Sequence, residues 1–274
     1  MRRALVGSIA LAISAGPIGV LLMLRRMSLV GDAMAHAILP GAAIGFLISG
    51  LSLGAMTIGG LAAGFTVAIL AGLVTRTTVL KEDASLAAFY LISLALGVTI
   101  VSIRGSNIDL LHVLFGAVLA LDDNTLILLA AISSVTLIVL AIIYRPLVLE
   151  CVDPGYLKSV SRAGGPAHLA FLGLVVLNLV GGFHALGTLL AVGLMMLPAI
   201  ASRFWSAEMT GMILVSTLIA VVSSAAGLLI SFHFGLPTGP AIILVAGAAC
   251  IGSLLFGPLG GVVWRLLPRA HYQA

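Results

Sequence analysis

"MTGMILVSTLIAVVSSAAGLLISFHFGLPTGPAIILVAGAACIGSLLFGPLGGVVW", residues 209–264, runs for 56 residues without one formal charge. A helix needs about 20 apolar residues to cross the hydrocarbon core of a bilayer. The run therefore holds two crossings, and the turn-type cluster "FGLPTGP" at 234–240 folds one back on the other. In lipid every backbone amide must find its partner inside the protein, which leaves helices as the reading for such a segment.

The rest of the chain repeats the pattern. Uncharged intervals cover 4–24, 33–75, 84–103, 110–121, 124–144 and 163–202. The 43-residue interval breaks at "SGLSLG" around Gly50, and the 40-residue interval at Gly181–Gly182. Nine candidate spans result, plus the 12-residue piece 110–121, which is too short to cross and reads as re-entrant or interfacial. The expected fold is all-α: a polytopic membrane protein of eight to ten transmembrane helices with a short re-entrant segment, forming one transmembrane domain over 1–274.

Composition agrees. The 274 residues are 61% hydrophobic and 8% charged, and the mean hydropathy is +1.28, whereas soluble domains carry about 25% charged residues. The net charge of +4 needs no nucleic-acid partner, since it follows from where Lys and Arg gather. With the N-terminus outside, Arg25, Arg26, Arg76, Lys81, Arg145, Lys158, Arg162, Arg203, Arg265 and Arg269 fall inside, against Arg2, Arg3 and Arg104 outside. The positive-inside rule selects that orientation. Cys151 and Cys250 lie in distant segments, so neither a disulfide framework nor a Cys-pair metal site is implied.

The longest polar interval, 145–167, "RPLVLECVDPGYLKSVSRAGGPA", holds Glu150, Asp153, Lys158 and Arg162. Asp153 as N-cap with Pro154 at the first helical position predicts a short surface helix from Pro154 to Ser161. Such an element suits docking, and a solvated loop competes equally with it. No G-x-x-x-x-G-K-[ST] loop occurs, so this chain does not hold ATP phosphates in the P-loop manner. No H-E-x-x-H occurs either, and no catalytic residue is assigned.

Asp32 and His36 stand four residues apart in "SLVGDAMAHAILPGAAIG", residues 28–45. On a helix they share one face, and together they offer oxygen and nitrogen to one divalent cation. Ionisable groups at membrane depth are costly and tend to face a cavity or a partner. Three other readings compete. Asp32 caps the helix; Asp32 pairs with Arg25 or Arg26; or His36 is a neutral packing residue. His112, one turn after Asp109 in the half-length piece, and His184, beside the expected turn at Gly181–Gly182, are weaker pathway candidates. His233 reads as interfacial, and His168 and His271 as ordinary loop and tail residues. Met195 and Met196 read as fillers of a helix interface, with a soft-metal contact as the alternative. Asp122 and Asp123 read as an exposed acidic turn.

These residues carry a resemblance. "LRRMSLVGDAMAHAILPGAAIGF" is similar at nearly every position to the R-R-x-[SA]-L-x-G-D-A-[LM]-[SA]-H-[AS]-x-L-P-G signature of permease subunits of manganese, zinc and iron ABC importers, the ABC-3 family. "IDLLHVLFGAVLALDD", "GTLLAVGLMMLPAIAS" and "GLLISFHFGLPTGPAIIL" resemble that family in the expected order, so the similarity covers approximately residues 4 to 260. The resemblance implies a type II importer fold related to the vitamin B12 permease. It implies a dimer with a second permease copy, cytoplasmic ATP-binding subunits and an extracytoplasmic metal-binding protein. The setting would be the bacterial inner membrane, and the cargo Mn²⁺, Zn²⁺ or Fe²⁺. ATP would be bound only by the partner, with no permanent cofactor here. The pathway Asp and His of the family fall on Asp32 and His36, and its cytoplasmic coupling segment on residues 150–165, with Glu150, Asp153, Pro154, Lys158 and Arg162. Leu157 and Ser161 depart from the usual D-P-[EA]-x-A-x-x-x-G run, and His184 is not expected from the family. The alternative to an ATP-driven importer is a secondary transporter or channel in which Asp32 and His36 relay protons.

Overall fold

The computed structural model describes residues 1–50, 52–80, 82–103, 121–152 and 164–263. Among these, every regular element is a helix: α1 (Arg2–Leu24), α2 (Val30–Ala37), α3 (Leu39–Ser49), α4 (Leu53–Thr77), α5 (Glu82–Ile103), α6 (Asp123–Val152), α7 (Gly164–Leu186), α8 (Thr188–Ser202), α9 (Met209–Phe234) and α10 (Thr238–Phe256). Among the described residues there are eight candidate spans, α2 and α3 forming one of them together as Val30–Ser49.

The expected ninth span is α8. Its 15 residues rise about 22 Å at 1.5 Å per residue, short of the ~30 Å core. The turn before it also differs from expectation. Gly181 and Gly182 continue α7, and the chain turns at Gly187, whose φ of +87° favours glycine. The paired glycines serve close packing instead: a Cβ on Gly181 would lie 2.7 Å from Ile132 Cδ1, and one on Gly182 would crowd the Ala191 Cβ. The turns expected at Gly50 and within "FGLPTGP" are present, the latter closed by Gly235 in the left-handed region. The segment 110–121 lies outside the described residues apart from Leu121, which is buried.

Helices α1 and α6 run parallel and are tied at both ends. Arg3 meets Asp123 at 3.0 Å where both begin, and Arg25 meets Glu150 at 2.6 Å where both finish. Arg3 and Asp123 thus share one end of the bundle and Arg25 and Glu150 the other, the grouping that the charge distribution predicts. Between the ends, α1, α6 and α7 are joined by buried polar groups. Ser14 Oγ donates to Asn178 Oδ1 at 2.6 Å, Asn178 Nδ2 donates to Thr136 Oγ1 at 2.7 Å, and Ser133 Oγ donates to the Ala10 carbonyl at 2.7 Å. Lipid offers helices no hydrophobic reason to associate, so such bonds and close-packed small residues hold the bundle together.

The turn from α1 to α2 is equally defined. The amide of Met27 bonds the Leu22 carbonyl at 2.9 Å and that of Arg26 bonds Met23 at 3.1 Å, the paired bonds of a Schellman ending. Arg26 takes the left-handed position, φ 60°, where glycine is usual.

Candidate functional site

The element carrying Asp32 and His36 is short because its surroundings bend it. α2 holds eight residues, Ile38 separates it from α3, and Pro40 in the first turn of α3 has no N–H to extend the ladder backwards. One face of α5 grips this elbow. Tyr90 stacks on the His36 ring with centroids 6.3 Å apart. Ser93 Oγ donates to the Ala37 carbonyl at 2.9 Å. Gly97 lets Pro40 approach, since a Cβ there would lie 3.0 Å from the Pro40 nitrogen. The start of α2 rests on α8: Met195 Cε and Met196 Cε lie 2.7 and 3.3 Å from where a Cβ on Gly31 would stand. The two methionines therefore fill a helix interface, one residue from Asp32.

Asp32 Oδ1 and His36 Nε2 are 3.8 Å apart, and their side chains are 65% and 35% exposed on the isolated chain. Two transition-metal bonds of about 2.1 Å sum to more than that separation, so one ion can reach both atoms. The competing readings fare unequally. Asp32 lies in the first turn of α2, where the helix dipole favours a carboxylate, but the N-cap position itself is Leu29. Arg25 faces Glu150 and His168 instead of Asp32. His36 does pack against Tyr90, yet its Nδ1 is buried with no hydrogen-bond partner among the described residues. No group of three or more His, Cys, Asp or Glu side chains gathers to hold a metal among the described residues. Two donors alone do not complete a closed structural metal site.

His112, Asp153, Pro154, Lys158 and Arg162 lie outside the described residues. His184 falls within α7, but its side chain is not described. Glu150 is not part of a loop: α6 continues through Val152, and Glu150 sits in its last turn, paired with Arg25. His233 is exposed at the end of α9. Asp122 does more than make an acidic turn. It accepts bonds from the Thr125 amide, at 3.0 Å, and the Thr125 hydroxyl, capping α6. The Thr125 hydroxyl and amide, in that order, hold its carboxyl below the ordinary carboxylate range.

His168, expected to be an ordinary loop residue, is instead within α7, and Arg25 Nη2 lies 2.9 Å from its Nδ1. The two residues are 143 positions apart, so no local spacing announces the contact. Tyr90 and Ser93 were likewise invisible as site residues, because a lone Tyr and Ser in an apolar run read as packing.

Comparison with known proteins sets this geometry in context. The profile of the ABC 3 transport family matches residues 1–257. A manganese import system permease protein, ScaB of Streptococcus parasanguinis, is 30% identical over 258 residues, covering 94% of this chain and 91% of that one. The manganese transport system membrane protein MntC of Halalkalibacterium halodurans is 29% identical over 266 residues, covering 97% and 90%. The solved structure of PsaBC from Streptococcus pneumoniae in complex with Fab superposes with a TM-score of 0.84 at 28% identity, over 96% of this chain and 94% of that one.

Proposed function

The chain belongs to the ABC 3 transport family, whose profile spans all but its last residues, and from that premise we propose that it forms the translocation path of an ATP-driven importer of divalent transition-metal ions. It is a permease subunit, a multi-pass protein of the bacterial cell membrane. Manganese is the leading cargo, because the relatives named above are manganese permeases; zinc and Fe²⁺ share the ligand chemistry of oxygen and nitrogen donors. ATP hydrolysis belongs to a separate cytoplasmic subunit, and an extracytoplasmic binding protein delivers the ion.

The observation that carries the reading is the pair Asp32 and His36, 3.8 Å apart on a face of α2 that is uncovered in the isolated chain. A second permease copy meeting that face would bring its own Asp and His. The four donors together would form a site that is complete only while the two copies are apposed. The segment 145–167 would supply the docking element for the ATPase.

The test is reconstitution of the complete transporter in liposomes, with Mn²⁺ as probe. ATP-dependent uptake that falls by more than about tenfold, or 1.4 kcal/mol, in Asp32→Asn and in His36→Gln is the expected result. Uptake that needs no nucleotide-hydrolysing subunit would instead point to the proton-relay alternative. Undiminished transport by the double variant would remove Asp32 and His36 from the path.

A further inference from the structure

Two adjacent arginines end α1, and they differ. Arg26 is exposed, as a charge that only orients the chain would be. The side chain of Arg25 is 6% exposed. Its guanidinium lies 5.1 Å from the centre of the Phe171 ring on α7. Nη2 reaches Glu150 Oε2 on α6 at 2.6 Å and His168 Nδ1 on α7 at 2.9 Å. Arg cannot accept a hydrogen bond, so His168 accepts and its Nδ1 is unprotonated in this arrangement. Orientation alone does not require a buried, ion-paired, ring-stacked arginine.

Placement gives the cluster its meaning. Glu150 stands in the last turn of α6, two residues before it ends, and His168 near the start of α7. These are the two helices that flank residues 153–163. Arg25 is the C-cap of α1. The bonds from Met27 to Leu22 and from Arg26 to Met23 make the following turn a fixed elbow into α2, where Asp32 and His36 lie. A buried ion pair resists separation because parting it strands a charge away from water. Displacement of the ends of α6 and α7 is therefore transmitted to Arg25, and through the elbow to α2. The cluster is also unsaturated: Arg25 Nη1 and Glu150 Oε2 are each buried with no hydrogen-bond partner among the described residues, so their side chains meet as an ion pair without hydrogen-bond geometry, and a donor and an acceptor are in hand for a shifted arrangement.

We propose that Arg25, Glu150 and His168 form an ionic strut that couples the cytoplasmic ends of α6 and α7 to the helix bearing Asp32 and His36. These are positioning residues, acting on the metal pathway through α2 without touching the ion. The strut rests on the functional reading above.

The test measures Mn²⁺ uptake and phosphate release in the same vesicles holding the complete transporter. Replacing a buried pair by apolar side chains of similar size preserves folding in other proteins, so Arg25→Met with Glu150→Met is the principal variant. Its Mn²⁺ moved per ATP falls about tenfold, within the range of coupling between distant sites, while hydrolysis persists. An unchanged ratio, including the case in which both rates drop together through loss of assembled protein, overturns the strut. If the double variant does not assemble, Arg25→Lys carries the test: it keeps the charge but not the planar fork, and the ratio falls about threefold. An unchanged ratio there overturns the strut equally. A parent complex that moves no Mn²⁺ overturns the functional reading and the strut together, whereas a transporting parent with fully coupled variants overturns the strut alone.

Discussion

A methyl group on Gly41 would overlap the carbonyl oxygen of Gly59, and one on Gly59 would overlap the carbonyl oxygen of Gly41. The backbones of α3 and α4 thus touch, as small residues permit in membrane bundles. Backbone cannot swing aside as a side chain does. Gly41→Ala and Gly59→Ala should each cost about 2–3 kcal/mol or more by overpacking, read as a lowered melting temperature in detergent. Gly54, which has open space around it, is the control: Gly54→Ala should be neutral or slightly stabilising through helix propensity.

Deep in the bundle, Asn178 uses both ends of its amide: Oδ1 accepts from Ser14, and Nδ2 donates to Thr136 and to the Leu174 carbonyl. Ser14→Ala should cost about 0.6–1 kcal/mol, the usual worth of one interhelical bond in a membrane. Asn178→Asp should cost more, because a carboxylate cannot donate to Thr136 and adds a charge where 2% of the residue is exposed. Equal losses for the two variants in a thermal unfolding series would contradict the network.

Most helices were legible in the sequence for one reason: in lipid, an uncharged run of sufficient length has no alternative to helix. The turns at Gly50 and Gly235 were legible because they interrupt such runs. Gly181–Gly182 misled because paired glycines signal either a turn or a close approach. What decides between them, Ile132 and Ala191, arrives from α6 and α8. Asp32 and His36 were legible as a pair through their spacing, but the Tyr90 and Ser93 supports come from another helix. The Arg25–His168 contact bridges 143 positions and leaves no periodic trace. Nor does composition separate a buried Arg25 from the exposed Arg26 beside it.

Asp122 links pH to the stability of the start of α6. Its carboxyl is held below its ordinary value of 3.8 by the Thr125 hydroxyl and amide. A lowered folded value means that the charged form is favoured by folding, so the contribution is present above the ordinary range and is lost as pH falls through the lowered one. Asp122→Ala should melt below the parent at neutral pH, and the gap should close in strong acid. Asp122→Asn keeps a cap oxygen and should lie nearer the parent than Asp122→Ala at every pH, while its stability relative to the parent shifts on acidification by the same amount, since neither replacement titrates. A gap that widens on acidification would reverse the assignment.

The start of α2 is positioned by contact between Gly31 and Met195, whose Cε lies 2.7 Å from where a Cβ on Gly31 would stand. The obstacle is the far end of a flexible side chain, so Gly31→Ala should be tolerated with little loss of Mn²⁺ uptake. Gly31→Val asks for more room than the thioether can yield, at an overpacking cost of about 1–3 kcal/mol. Because Asp32 is the next residue, the same strain should displace its carboxylate and depress uptake beyond what the loss of folded protein explains. Removing the obstruction with Met195→Ala in the Gly31→Val background should then restore both melting temperature and uptake, although Met195→Ala alone leaves a cavity and lowers stability. Such compensation is a coupling between neighbours. Two losses that simply add would show that Gly31 and Met195 act independently, and that α8 does not set the position of Asp32.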